Sequence, residues 1–229
     1  EAGMKNALFV LYGVCYEKTV SFRKGTKLGP RSVRQASWNF ESYNPFTNVD
    51  LKDVPLHDYG DLSDIDQLPP EKMIETVKTF TKNILNNGKT PIVIGGEHSI
   101  SSGVIQAFPD HTGVLVFDAH ADYRNSYDQS TYNHACTVRR IADHVGEENI
   151  ILIGMRSAGK EEYQQLKKTD ITVITSYNII DHGIGNYLHD IKKRFDRKNI
   201  YLSIDIDAID PCYAPGVGTP EPLGLQPIH

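Results

Sequence analysis

Residues 114–124 read Val-Leu-Val-Phe-Asp-Ala-His-Ala-Asp-Tyr-Arg. Four apolar strand formers, Val114 to Phe117, run directly into Asp118, His120 and Asp122. At strand spacing, residues i, i+2 and i+4 share a face, so two carboxylates and an imidazole emerge together. A short buried strand with polar groups at its carboxyl end belongs in a parallel α/β sheet, where ligand sites lie along that edge. Carboxylates placed this way repel one another and lose hydration. The stretch therefore calls for a cation among them. Taken alone it is also compatible with a strand running into an ordinary polar loop, and other strand ends have to decide.

The rest of the chain supports the sheet. Apolar strands are expected over 7–11, 49–56, 91–94, 149–155, 171–174 and 200–204, besides 114–117. A helix is expected within 26–40, with Pro30 in its first turn and Val33, Ala36 and Phe40 on one face. Pro69-Pro70 opens another, with Met73, Ile74, Val77, Phe80, Thr81, Ile84 and Leu85 at helical spacing and Gly88 beyond its end. Further helices are expected over 99–108, 134–145, 161–168 and 186–197. Residues 18–25 form a polar loop after the first strand, a candidate rim for the site. This alternation implies a three-layer α/β/α fold around a mostly parallel sheet. No repeat or linker divides it, so residues 1–229 are read as a single domain.

The composition narrows the function. With 229 residues and 39% apolar content, the chain has enough material for one large core. Lys and Arg number 24 against 29 Asp and Glu, a net charge of −5 with no basic stripe for nucleic acid. No window approaches the roughly 18 continuous apolar residues of a membrane span, and no secretory signal is read. Cys15, Cys136 and Cys212 are an odd number at wide spacing. They read as reduced thiols of a cytoplasmic protein rather than as a disulfide framework.

Two more strand ends carry ligand-type residues. Residues 91–94 run into Gly95-Gly96-Glu97-His98-Ser99, where paired glycines allow a sharp turn and present His98. Residues 200–204 end in Asp205 and Asp207, again two apart. In a parallel sheet all three ends share one edge. His98, Asp118, His120, Asp122, Asp205 and Asp207 are more ligands than one ion needs. They suit two ions about 3.5–4 Å apart, bridged by carboxylates. Four carboxylates balance two divalent cations, and a bound hydroxide makes the centre negative, which suits a cationic substrate. Oxygen and imidazole donors without thiolate favour Mn2+, with Co2+, Ni2+ or Fe2+ also compatible. His57, His111, His144, His182 and His189 lack such a setting and read as structural.

These stretches resemble the ureohydrolase family, the arginases and agmatinases. The matching residues are Gly95-Gly96-Glu97-His98-Ser99, Asp118-Ala119-His120-Ala121-Asp122, and the run from Ser203 through Asp205 and Asp207 to Asp210-Pro211. Ala214-Pro215-Gly216 and Thr219-Pro220 extend the match, which covers essentially the whole chain. The resemblance implies one Mn2+ held by His98, Asp118, Asp122 and Asp205, and a second by His120, Asp118, Asp205 and Asp207. Asp118 and Asp205 would bridge, and a hydroxide between the metals would attack the guanidinium carbon and release urea. His134 stands where the family has its loop histidine, the candidate proton shuttle. The stretch from Tyr132 to Arg140 is similar to the prokaryotic agmatinase branch, which implies agmatine hydrolysis to putrescine and urea in polyamine synthesis. Aminopropyl-agmatine, guanidinobutyrate or arginine would use the same chemistry, and a non-catalytic regulatory or assembly paralogue is the reading from another class. The family also implies a homo-oligomer, a trimer or hexamer.

The resemblance is incomplete in two places. Glu97 replaces the Asp of many relatives, a change expected to fall beside the ligands and to be harmless. The family's substrate-guanidinium carboxylate lies on an eighth strand beyond the proline-rich loop, between the third and seventh strands. The expectation is that this domain lacks that strand and its following helix.

Overall fold

The computed structural model describes residues 2–196 and 199–229. Its strands are β1 (Phe9–Val14), β2 (Tyr43–Asn44), β3 (Val49–Asp50), β4 (Leu56–Asp61), β5 (Thr90–Gly95), β6 (Gly113–Phe117), β7 (Ile150–Met155), β8 (Thr172–Thr175) and β9 (Ile200–Ile204). Its helices are α1 (Gly29–Ser37), α2 (Pro70–Asn86), α3 (Ile100–Ile105), α4 (Thr137–Val145), α5 (Lys160–Leu166), α6 (Ser176–His182) and α7 (Gly185–Arg194). None is long and apolar enough to cross a membrane. The α/β class expected from the alternation is the one observed.

The parallel strands fall into two groups, ordered β4-β1-β5 and β8-β7-β6-β9, with a separate antiparallel β2-β3 hairpin. Period-2 alternation builds the layers of the larger group. Val114, Val116, Ile150 and Leu152 share a core with Val138, Ile141 and Val145 of α4 and Leu166 of α5. Ile151 and Ile153 face the other way, onto Ile174, Ile179 of α6 and Phe195. Helices thus cover both faces. A second core joins Val10, Tyr12 and Val14 of β1 to Met73, Ile74, Val77 and Ile84 of α2.

Several elements differ from expectation. The strand expected over 49–56 is split: β3 ends at Asp50 and a 3-10 turn follows (Leu51–Asp53). Pro55 stands before β4, which runs on through Asp58 and Asp61. Arg34 explains how this polar stretch sits in a sheet. Its guanidinium donates to both Asp58 oxygens at 2.7 and 2.8 Å and to Asp61 Oδ1 at 2.6 Å. The stripe of α1 is not a core face: Val33 is half-exposed and Phe40 72% exposed, while Pro30 alone in this helix is buried. Helix α6 was not expected from the apolar pattern. It starts on a capping box, where Thr175 Oγ1 accepts from Asn178 N and Asn178 Oδ1 accepts from Thr175 N. The helix expected over 186–197 ends at Arg194, and Arg197 lies outside the described residues.

Candidate metal centre and its cavity

Three strand ends deliver the candidate ligands to one place. The ladder of the larger sheet continues one step past β6. Asp118 N donates to Ile153 O at 3.0 Å and Asp205 N to Phe117 O at 2.8 Å, which sets Asp118 and Asp205 side by side. His98 arrives from the end of β5 through Gly96. A Cβ on Gly96 would lie 2.2 Å from Tyr16 O, so only glycine fits where this turn meets the loop after β1. Asp122 adopts the left-handed region, with φ of 44°, and this turns its carboxylate back toward His98. Such strain in a non-glycine residue persists only where surroundings enforce it.

Two clusters result. His98 Nδ1 lies 2.8 Å from Asp118 Oδ2, 3.1 Å from Asp122 Oδ2 and 3.7 Å from Asp205 Oδ2. His120 Nδ1 lies 3.0 Å from Asp207 Oδ2 and 3.5 Å from Asp118 Oδ1. Asp118 is common to both, one oxygen toward each histidine. Ligand atoms of His98, Asp118 and Asp205, and of Asp118, His120 and Asp207, form two sets compact enough to hold an ion each. All six candidate ligands are therefore gathered, although Asp122 joins through His98 and Asp205 sits in the first set alone. His134 is on the cavity wall, outside both sets.

The electrostatics of the centre are those of missing positive charge. Asp118 and Asp207 are buried. Burial first, and then the charges of Asp207 and Asp118, push the Asp205 carboxyl well above the carboxylate range. Burial and the Asp118 charge likewise push Asp122 up to about 6. Burial works against the charged forms of the histidines, but bonds to Asp118 and Asp122 raise His98 nevertheless, and bonds to Asp118 and Asp207 raise His120 to about 11. Burial also opposes ionisation of Asp118, yet the two imidazoles hold it low. Protonated histidines would balance part of this negative charge. The balance is incomplete: Asp118 Oδ2 is buried and has no hydrogen bond of acceptable geometry. A buried carboxylate oxygen left this way is costly, and a divalent cation between it and His98 would satisfy it. The donor set, hard oxygens with imidazole nitrogen, fits such an ion.

Supporting contacts hold the ligands in place. His98 Nε2 is 3.1 Å from Ser203 Oγ, Ala119 N donates to Asp207 Oδ1 at 3.0 Å, and Thr219 Oγ1 donates to Asp207 Oδ2 at 3.3 Å. Arg156 ties the end of β7 to the loops beyond β9, donating to the carbonyls of Asp207, Ala208, Glu221 and Pro222. Ser203 lies within the family-like run, but nothing local in the sequence marks Arg156 or Glu221. Glu221 Oε1 accepts from Ser157 Oγ at 2.9 Å and lies 3.7 Å from His120 Nε2.

The centre lines a cavity of about 1040 Å3. Val93 to Gly95 of β5 form part of one wall and Tyr201 to Ile204 of β9 part of another. The loop expected at the rim reaches the cavity, which Val20 to Gly25 help to line.

Comparisons with known proteins agree with this arrangement. The family model described as "Arginase family" matches residues 7–229. The chain is 33% identical to an agmatinase of Bacillus subtilis over 223 residues, 94% of this chain and 73% of the relative. It is 36% identical to an N(1)-aminopropylagmatine ureohydrolase of Thermococcus kodakarensis over 225 residues, 97% of this chain and 75% of the relative. Among solved structures, the agmatine ureohydrolase of Thermoplasma volcanium superposes with a TM-score of 0.92 at 38% identity, covering 98% of this chain and 75% of that one. A match over nearly the whole chain, with the strand ends meeting where the ligand pattern requires, makes this protein a member of the arginase family.

Proposed function

We propose that this protein hydrolyses the guanidinium group of agmatine to putrescine and urea, using two Mn2+ ions. The observation that carries the reading is the pair of histidine–carboxylate clusters sharing Asp118, with its Oδ2 unsatisfied at the wall of a cavity. His98, Asp118, Asp122 and Asp205 would hold one ion, and His120, Asp118, Asp205 and Asp207 the other. When bound, the pair supplies a nucleophile at moderate pH by lowering the pKa of water. The chain's own residues do the rest. The carboxylates make the site attractive to a cationic guanidinium, and the cavity walls hold that group against the centre. His134, on the wall, supplies a proton to the departing amine, which is otherwise a poor leaving group.

The similarity to an aminopropylagmatine ureohydrolase supports a second substrate, agmatine bearing an aminopropyl arm. The test is urea release by the full-length, Mn2+-loaded protein from agmatine, aminopropyl-agmatine, guanidinobutyrate and arginine. Agmatine is expected to give the highest kcat/KM. Release from arginine but not from agmatine would overturn the assignment, and no urea from any of the four would leave the non-catalytic reading.

We also propose that a further strand completes the sheet between β5 and β9. What supports it is that, among the described residues, these two edges have no strand paired on their facing sides and both border one cavity. Ile200, Leu202 and Ile204 also stand half-exposed on one face of β9. A homotrimer or hexamer in the cytoplasm is part of the same reading, supported by Trp38 and Phe46, which are 86% and 99% exposed. Light scattering on the full-length protein tests it, and a monomeric mass would refute it.

A further inference from the structure

The buried carboxylate next to His98 has a function that the metal reading does not use. Glu97 is 4% exposed and has no ion pair among the described residues. It is satisfied by four hydrogen bonds, three of them from the loop after β1. Lys18 N and Thr19 N each donate to Oε2 at 2.7 Å. Thr19 Oγ1 donates to Oε1 at 2.7 Å and Ser99 Oγ donates to it at 2.6 Å. Backbone bonds from Gly96 N to Val14 O and from Glu97 N to Tyr16 O seal the contact. Loop and glycine turn are therefore one unit.

Thr19 carries this anchoring to the opposite wall. Its Oγ1 accepts from His134 N at 2.9 Å and lies 3.2 Å from His134 Nδ1. A hydroxyl has one proton and two acceptor sites. The proton goes to Glu97, so toward His134 the oxygen can only accept. A bond to Nδ1 then requires the proton to be on Nδ1. In the neutral ring Nε2 is left as the bare nitrogen, on the side of Ser21 Oγ, 3.5 Å away.

We propose that Thr19, clamped by Glu97, is a positioning residue that holds His134 as its Nδ1–H tautomer and so makes Nε2 the atom that exchanges a proton with the substrate. This rests on the reading of His134 as the proton carrier in guanidinium hydrolysis. Nε2 receives a proton when the nucleophile forms and gives it to the nitrogen of the breaking C–N bond, so the ring returns to its starting state. Glu97 is then functional: its side chain reaches the Thr19 hydroxyl as well as the loop amides.

The experiment compares the full-length, Mn2+-loaded wild type with Thr19→Val, Thr19→Ser, His134→Asn and the double variant Thr19→Val/His134→Asn. Thr19→Val is expected to lower kcat about 10–100-fold with KM little changed, less than the 10²–10⁴ typical of losing the acid or base itself. Thr19→Ser, which keeps the hydroxyl, should restore most of kcat, and bound metal should be unchanged in both. In the His134→Asn background, Thr19→Val should have no further effect, because Thr19 acts through His134. Additive losses, or a fall in metal content, would show a structural role and overturn the proposal. An unchanged kcat in His134→Asn would refute the reading of His134 itself. A readout independent of turnover separates the two failures: solid-state NMR of the metal-free protein with 15N-labelled histidine, the His134 signal being the one lost in His134→Asn. A proton on Nδ1 in the wild type, redistributed in Thr19→Val, supports the proposal. A proton on Nε2 in the wild type overturns it, whatever the activity.

Discussion

At the scale of single residues, Asp118 matters most, because both clusters use it. Asp118→Ala removes the shared ligand and should abolish urea release and leave the isolated protein with less than half of the wild-type metal content. Elemental analysis of purified protein checks this, and unchanged stoichiometry would refute the shared role. The metal-free centre also predicts a pH dependence. His120, raised to about 11 in the fold, contributes stability that is fully present below its ordinary value of 6.5 and lost as pH rises toward 11. Asp122, pushed up to about 6, resists ionisation in the fold, so stability is gained as pH falls from 6 toward its ordinary 3.8. Both effects favour the acid side. In chelator-treated protein Tm should therefore fall as pH rises above 6.5. Divalent cations held by these residues would replace the protons and bind more tightly as pH rises, so with saturating Mn2+ the fall should flatten or reverse. Parallel thermal scans with and without chelator measure the contrast, and identical pH profiles would contradict the proposed ligand set.

At the scale of elements, legibility followed burial. Strands β6 and β7 could be read from the sequence because all or nearly all of their residues are apolar. Every residue of β7 is buried. Leu152→Ala, in the middle of that strand, should cost about 2–5 kcal/mol through lost transfer energy and the cavity left behind. Denaturant unfolding of the metal-free protein measures this, and a loss below 1 kcal/mol would mean that the site collapses around the gap. By contrast, β4 is half-buried and polar, and it is a strand because β1 pairs with it and Arg34 neutralises Asp58 and Asp61. A hydrophobic pattern cannot show either cause. The apolar stripe of α1 misled for the opposite reason. Its periodicity is real, but no element of the described chain packs on Val33 and Phe40 enough to bury them. Helix α6 is too short for periodicity, and its signal is the cap at Thr175 and Asn178.

At the scale of the whole molecule, the chemistry depends on groups that lie far apart in the chain. His98 and Ser203 are separated by 105 positions, and Thr19 and His134 by 115. The two strand groups bring the candidate ligands to one cavity, which β5 and β9 both line. The candidate ligands are therefore set at strand ends, while the loop from Val20 to Gly25 adds to cavity walls that β5 and β9 also form.

The α/β fold class and the strand ends that carry the candidate ligands were legible in the sequence. Strand period and apolar runs are local, and Asp-x-His-x-Asp states its chemistry in five residues. Only the fold shows that Asp118 belongs to both clusters, that Asp122 is turned back by a left-handed backbone, and that Asp118 Oδ2 faces His98 without a well-formed hydrogen bond. It also brings the Thr19 hydroxyl to His134 Nδ1, the contact on which the proposed tautomer rests. These properties depend on distances between segments that no local pattern encodes.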